Sequence, residues 1–294
     1  MSVGDVTFRG GVRTLVGFGV AFAVVTAIWV PLTVAVRDGP AWIRLLSTVA
    51  KFAVIAGVVW ALLRVDEARS AELGLGRGQV APALGAFALL WLALNAWGAA
   101  VAVTTGNEWR LSLIWHLPEP VAGQFGTLPA PWLVFVLLNF LVVGIVEEAA
   151  FRGYFQSKVI ALLGDDTRGH VAFGVLATSV LFGALHTPGA LAAGAGLGGV
   201  IGNAALPAIT AVLFGVLYEL TRNVYFVALL HGLGNTWPLV VDWAAWSGTP
   251  LLAFWVGAAA VYLAVTLGYR HYVFGTDQPH RGDRTEAGRS ALLG

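Results

Sequence analysis

Apolar residues run along this chain in long blocks, separated by short polar stretches. Blocks of about 20 residues are the length an α-helix needs to cross a bilayer. They predict spans at Leu15–Val36, Ala41–Leu63, Val80–Thr104, Val171–Ala193, Ala204–Leu220, Val224–Trp243 and Leu251–Gly268. One further span starts at Pro131, and its helical pattern runs on to Leu163, too long for the bilayer, so one end should project. The first block follows Arg9 and Arg13 as a signal peptide would, but its apolar core is too long for one, and it reads as a retained helix. Arg64–Gly78 is a charged linker, and Gly106–Thr127, with Trp109 and Trp115, reads as an interfacial loop. The turn Gly164–Gly169 carries Asp165 and Asp166, read as solvent-facing cap residues, and the tail from Tyr269 is polar. Gly194–Gly199 matches G-x-G-x-x-G but lacks the preceding strand and the following acid of a dinucleotide site. Gly194, Gly198 and Gly202 better suit close helix packing or a bend.

The expected fold class is therefore all-α: a polytopic membrane bundle of about eight helices. Three parts are expected: 1–130 with the first three helices and the loop, 131–245 as a four-helix catalytic core, and 246–294 with the last helix and tail. Composition agrees, since the 294 residues are 58% hydrophobic and 11% charged, against about 25% charged in soluble domains. The formal charge of +1 leaves no basic surface for nucleic acid. The absence of cysteine excludes disulfides and thiol chemistry. With eight spans, 13 Lys and Arg fall on the side of the termini, and three (Arg37, Arg44 and Arg110) on the other. That bias places both termini in the cytoplasm of an integral membrane protein. Lys51 lies inside a span and reads as a snorkelling or lining residue away from lipid.

Polar residues inside the apolar blocks are the candidate chemistry. Glu147 and Glu148 close the apolar run from Pro131. Ionisable residues there face a bundle interior or a wet cavity, unless the helix simply ends in the headgroups. Glu148 and Arg152 stand at i,i+4 with the acid first, the better order for a helical ion pair. Glu147 points about 100° away and need not share that arginine. His186 follows Phe182 by one turn, and His231 and Asn235 share a helix face. Counted by helical rise, Glu147, His186 and His231 share one layer in the cytoplasmic half, roughly 6 Å below the interface.

Glu147-Glu148-x-x-x-Arg152, Phe182-x-x-x-His186 and His231-x-x-x-Asn235, in that order, resemble the three signatures of the CAAX-processing and bacteriocin-processing (ABI) family of intramembrane endopeptidases. The resemblance covers about Pro131 to Val241. It implies that Glu147 activates a water, that His186 helps to hold it, and that His231 and Asn235 donate to the oxyanion. Glu148 with Arg152 would shape the site. A second version makes His186, His231 and Glu147 ligands of one divalent metal, zinc, that carries the water. The implied partner is a membrane-embedded or lipid-anchored protein or peptide substrate. No H-E-x-x-H, G-x-G-D or serine-nucleophile motif offers another protease chemistry. Outside catalysis, polar residues across helices also build ion pathways, so a transporter and a silent scaffold or immunity protein on the same fold stand as alternatives.

Overall fold

The computed structural model describes residues 6, 8–107, 126–164, 167–241 and 246–275. Most of the expected interfacial loop, both aspartates of the Gly164–Gly169 turn and the tail beyond Gly275 lie outside the described residues. Among the described residues the fold is helical throughout: α1 Gly11–Ala35, α2 Ala41–Asp66, α3 Val80–Thr105, α4 Pro131–Leu163, α5 Arg168–Ala184, α6 Thr187–Ala192, α7 Leu197–Thr221, α8 Val224–Thr236 and α9 Gly248–Phe274. Seven segments are long and apolar enough to cross a membrane: α1, α2, α3 with the short turns before it, α4, α5 continued by α6, α7 and α9. Side chains such as Val180, Leu206, Ile209 and Leu252 face outward at 65–67% exposure. An apolar outside around polar contacts is the arrangement lipid requires, and the protein is an integral membrane protein.

The expected eighth full-length helix is a correction. The block Val224–Trp243 forms only the 13-residue α8, which starts at an Asn223 cap whose Oδ1 accepts from the Phe226 N–H at 3.0 Å. It stops because Pro238 disfavours the helical conformation in the residue before it. Trp237 turns into the left-handed region at φ 44°. The chain continues without helix to Val241, with Leu239 and Val241 buried. Non-helical backbone at membrane depth needs protein partners for its polar groups. α3 supplies them: Trp91 Nε1 donates to the Pro238 carbonyl at 2.7 Å, and Asn95 Oδ1 accepts from the Val240 N–H at 2.6 Å.

The glycine run is a bend. Gly194 has φ +76° and α7 begins at Leu197. A Cβ at Gly194, Gly198 or Gly202 would meet nothing within 4 Å, so close packing is not their use. The last span is also longer than expected, and Tyr269 is a buried residue of α9, not the start of a tail.

α4 is the central helix. Its 33 residues are continuous, but two π-helical stretches, Leu138–Val143 and Ala149–Gln156, flank the regular turns Gly144–Glu148. π turns are uncommon and gather at functional sites. Here they bracket the two adjacent glutamates. At its far end α4 is fastened to the α1–α2 hairpin. Lys158 Nζ donates to both oxygens of Asp66 at 2.6 Å and to Thr14 Oγ1, and Tyr154 Oη donates to Asp66 Oδ2 at 2.7 Å. Lys158, one of the 13 basic residues of the charge count, is thus buried in an ion pair, as is Arg152.

Candidate active site

α8 comes close enough to α4 for their polar side chains to meet because glycines line the contact. A Cβ at Gly144 would lie 2.6 Å from the Ala228 carbonyl oxygen, and one at Gly232 would lie 2.8 Å from the Phe140 ring. Real Cβ atoms do not approach that closely, so larger residues would push the helices apart.

Across this contact Glu148 is fully buried. Its Oε1 accepts from His231 Nδ1 at 2.7 Å and lies 3.1 Å from Arg152 Nη1. Arg152, also fully buried, donates from Nη2 to the Ala211 carbonyl of α7 at 3.3 Å. Its guanidinium sits 4.9 Å from the Phe182 ring centroid and 5.8 Å from that of Phe214. Cation–π contacts of this kind strengthen when desolvated. Phe214 stacks on the His231 ring at 5.4 Å and 24°, and Phe182 meets Phe151 edge-on at 4.9 Å. The i,i+4 ion pair expected from sequence is therefore present, inside an aromatic cage.

Glu147 points the other way. Its side chain is 17% exposed, and its Oε2 lies 3.7 Å from His231 Nε2. A carboxylate only accepts, so His231 Nδ1 carries a hydrogen toward Glu148, and Nε2 is the atom turned to Glu147. Glu147 lines a cleft of about 500 Å³ whose walls include Phe22 and Trp29 of α1, Arg37 in the turn after it, Lys51 of α2, and His186 at the α5–α6 junction. His186 Nδ1 lies 2.8 Å from the Phe182 carbonyl. That carbonyl accepts, which leaves Nε2 of the neutral ring as an acceptor. Pro188 at the start of α6 explains why the fifth span breaks here, exposing His186.

Asn235 stands apart. It is exposed one turn beyond His231 and is not among the residues lining the cleft. Its Nδ2 donates to Asn139 Oδ1 at 3.0 Å, and Asn139 Nδ2 donates to the Phe135 carbonyl at 2.9 Å. Sequence reasoning passed over Asn139, although a polar residue two turns before Glu147 in an apolar run was a readable signal. Phe214 carried no such signal.

Glu147, His186 and His231 do not form a metal-binding trio. Among the described residues no group of three or more His, Asp or Glu side chains is arranged to hold an ion. With no such arrangement among the described residues, no step below uses a metal.

The shallow depth expected for the site is also corrected. Lys158 of α4 is level with the last residue of α2 and the fourth of α1. Glu147, 11 residues away, is therefore about 16 Å from that end of the hairpin, near its middle. The cleft lining runs along α1 from Phe22 to Val34 and on to Arg37 in the following turn, away from that end. Toward Lys158 the aromatic cluster of Phe18, Phe22, Phe151 and Tyr154 closes it.

Residues 129–237 match the family model described as Type II CAAX prenyl endopeptidase Rce1-like. No curated protein and no solved structure matches the chain. The matched stretch begins just before α4, ends just after α8, and contains all three polar motifs. The core of this integral membrane protein, residues 129–237, is thus the part that is similar to the CAAX protease family.

Proposed function

We propose that the protein is an intramembrane endopeptidase that hydrolyses a peptide bond of a membrane-embedded or lipid-anchored protein or peptide. One observation carries this reading: of two adjacent buried-helix glutamates, one is tied up and the other is open. Glu148 is held by Arg152 and His231, while Glu147 faces the cleft that His186 also lines. A general base must reach the proton it takes, and only Glu147 can reach a water in the cleft.

In the proposed mechanism a water donates one hydrogen to Glu147 and the other to His186 Nε2. Its oxygen attacks the substrate carbonyl as Glu147 takes the proton. The oxyanion is stabilised by the Nε2–H of His231 in its imidazolium form, which donates from both ring nitrogens, while Asn235 holds Asn139. Glu148 holds His231 through Nδ1 and so fixes the direction of Nε2, as a carboxylate does for a catalytic imidazole. Glu147 then delivers its proton to the leaving amine as the C–N bond breaks. In this reading the termini, and with them the Asp66–Lys158 end, face the cytoplasm, as a basic bias of the loops favours, and the cleft leads toward the opposite face.

The test is comparative proteomics of membranes carrying wild-type or Glu147→Gln protein, followed by cleavage of the accumulating precursor by purified protein. A precursor that accumulates only with the variant, and that wild type cuts, supports the reading. Near wild-type cleavage by Glu147→Gln removes Glu147 from the mechanism.

A further inference from the structure

Lys51 is the one charge in the cleft that the proposed chemistry does not use apart from Arg37 at its end. It lies on α2, 10 residues from Ala41 and 15 from Asp66, so its Cα is about 15 Å and 22 Å from the two ends of the helix. A flexible four-carbon stem reaches about 6 Å, too short to bring the ammonium to either headgroup region. A cation at the middle of a span is costly, and it faces the bundle interior or a wet cavity rather than lipid. Its contact is the Phe52 ring, 4.5 Å from Nζ. Among the described residues no carboxylate lies within ion-pair distance of it, although Asp66 and Glu148 each have cationic partners.

Two contacts fix its height relative to Glu147. Trp29 Nε1 donates to the Ser47 carbonyl at 3.0 Å, which sets α2 against α1 and brings Lys51 level with about residue 25 of α1. Phe22 meets Phe151 at 5.2 Å, which sets α4 against α1 and brings Glu147 level with about residue 26. Lys51 and Glu147 therefore stand at the same height to within about one helical turn, on the walls of one cleft. Arg37 lies in the turn beyond Ala35, the last residue of α1, which is itself about 14 Å past that level, and cannot hold the same group.

We propose that Lys51 is a substrate-binding residue: it holds a carboxylate of the substrate within about two residues of the scissile bond. Height sets that span, because one helical turn is about 5.4 Å and an extended chain advances about 3.3 Å per residue. Depth decides the source of the anion. Lipid phosphates lie in the headgroup layer, about 15 Å from the Lys51 backbone, so the charge must arrive on a chain that enters the cleft. That chain carries the carboxylate as its free C-terminus or as an Asp or Glu side chain. The charge also gives selectivity: a neutral analogue leaves the ammonium desolvated and unpaired in an apolar groove. This inference rests on the endopeptidase reading for where the bond is cut, but not for the binding itself.

The experiment measures binding of an acyl-anchored, fluorescent Ala–Leu peptide to the full-length protein in nanodiscs by anisotropy. Three forms are compared: free C-terminal carboxylate, C-terminal amide, and amide with one internal Glu. Wild type should bind at least one carboxylate form about tenfold or more tighter than the plain amide, as expected for a charge-assisted hydrogen bond. The form that wins identifies the source. Lys51→Gln should bring that ratio close to one, and Lys51→Arg should keep it. Equal affinity of all three forms for wild type, no binding by any, or an equal loss for all three in Lys51→Gln overturns the proposal. Selective binding without hydrolysis would sink the endopeptidase reading and leave this one. Hydrolysis without a carboxylate preference would do the reverse.

Discussion

Two buried ion clusters sit on α4, and they differ in how completely they are satisfied. At the Lys158 end, Asp66 Oδ1 accepts from the Gly10 N–H at 2.8 Å, Thr14 Oγ1 at 2.9 Å and Lys158 Nζ at 2.6 Å. Its Oδ2 accepts from Tyr154 and Lys158. Every lone-pair direction of that carboxylate is used, and no member of the cluster lines the 500 Å³ cleft. At the Glu148 end the pairing is incomplete. Glu148 Oε2 and Arg152 Nε have no hydrogen-bond partner among the described residues, and the neighbouring Glu147 is open to the cleft. A saturated cluster fastens helices. A cluster with unused capacity beside a cavity has something left to do, and burial alone would not distinguish them.

The sharpest break in the comparison is functional. Glu147→Gln should lower the hydrolysis rate about 10²–10⁴-fold with thermal stability unchanged, read by turnover and melting on the same purified sample. Lys158→Ala should show the converse. Leaving Asp66 buried without its cation should destabilise the fold by about 3–5 kcal/mol, while turnover per folded molecule stays within a few-fold. A Lys158→Ala protein that is stable but inactive would make the clamp part of the catalytic machinery. Replacing both partners, Asp66→Leu with Lys158→Met, should recover most of that stability, because an apolar pair carries no desolvation cost. Denaturation in mild detergent distinguishes the single from the double variant.

Smaller changes probe how the α8 cluster is held. Gly232→Ala forces a methyl group against the Phe140 ring and should cost about 1–3 kcal/mol. It should also reduce turnover, since His231 is the next residue. Full activity would show that the α4–α8 spacing has slack. Phe214→Leu removes the ring stacked on His231 and should cost about 0.5–1.5 kcal/mol; a larger loss of turnover than of stability would mean that the stack positions the imidazole. The direction of the cleft is testable too. A single cysteine at Thr33 or Ala193, both lining it, should react with charged thiol reagents from the face opposite the termini. Labelling from the terminal side would reverse the assigned orientation.

The outcome for individual residues follows from the range of the forces involved. The i,i+4 pair of Glu148 and Arg152 was legible because helix geometry alone brings those side chains together. So was the set of spans, because a continuous apolar run has few other uses. The truncation of α8 at Pro238 was readable in principle from the proline, but apolar length outweighed it. The depth of the site was misjudged because counting from loops assumes that each helix enters the membrane at its first residue. Lys158, 27 residues into α4, is the residue actually level with the end of α2.

What the sequence determined by itself is local: the helices, the order of the polar motifs, and which acid of the Glu147–Glu148 pair is tied to Arg152. The tertiary structure decided what depends on distant residues meeting. It gave Lys158 to Asp66, 92 positions away, and gave Glu148 a second partner in His231, 83 positions away. It left Lys51 on the wall of the cleft with no carboxylate in ion-pair distance among the described residues. Inside a bilayer the hydrophobic effect does not choose among helix pairings, since lipid is as apolar as any helix face. Close packing and a few buried polar contacts choose instead, and those contacts exist only once all the helices are in place.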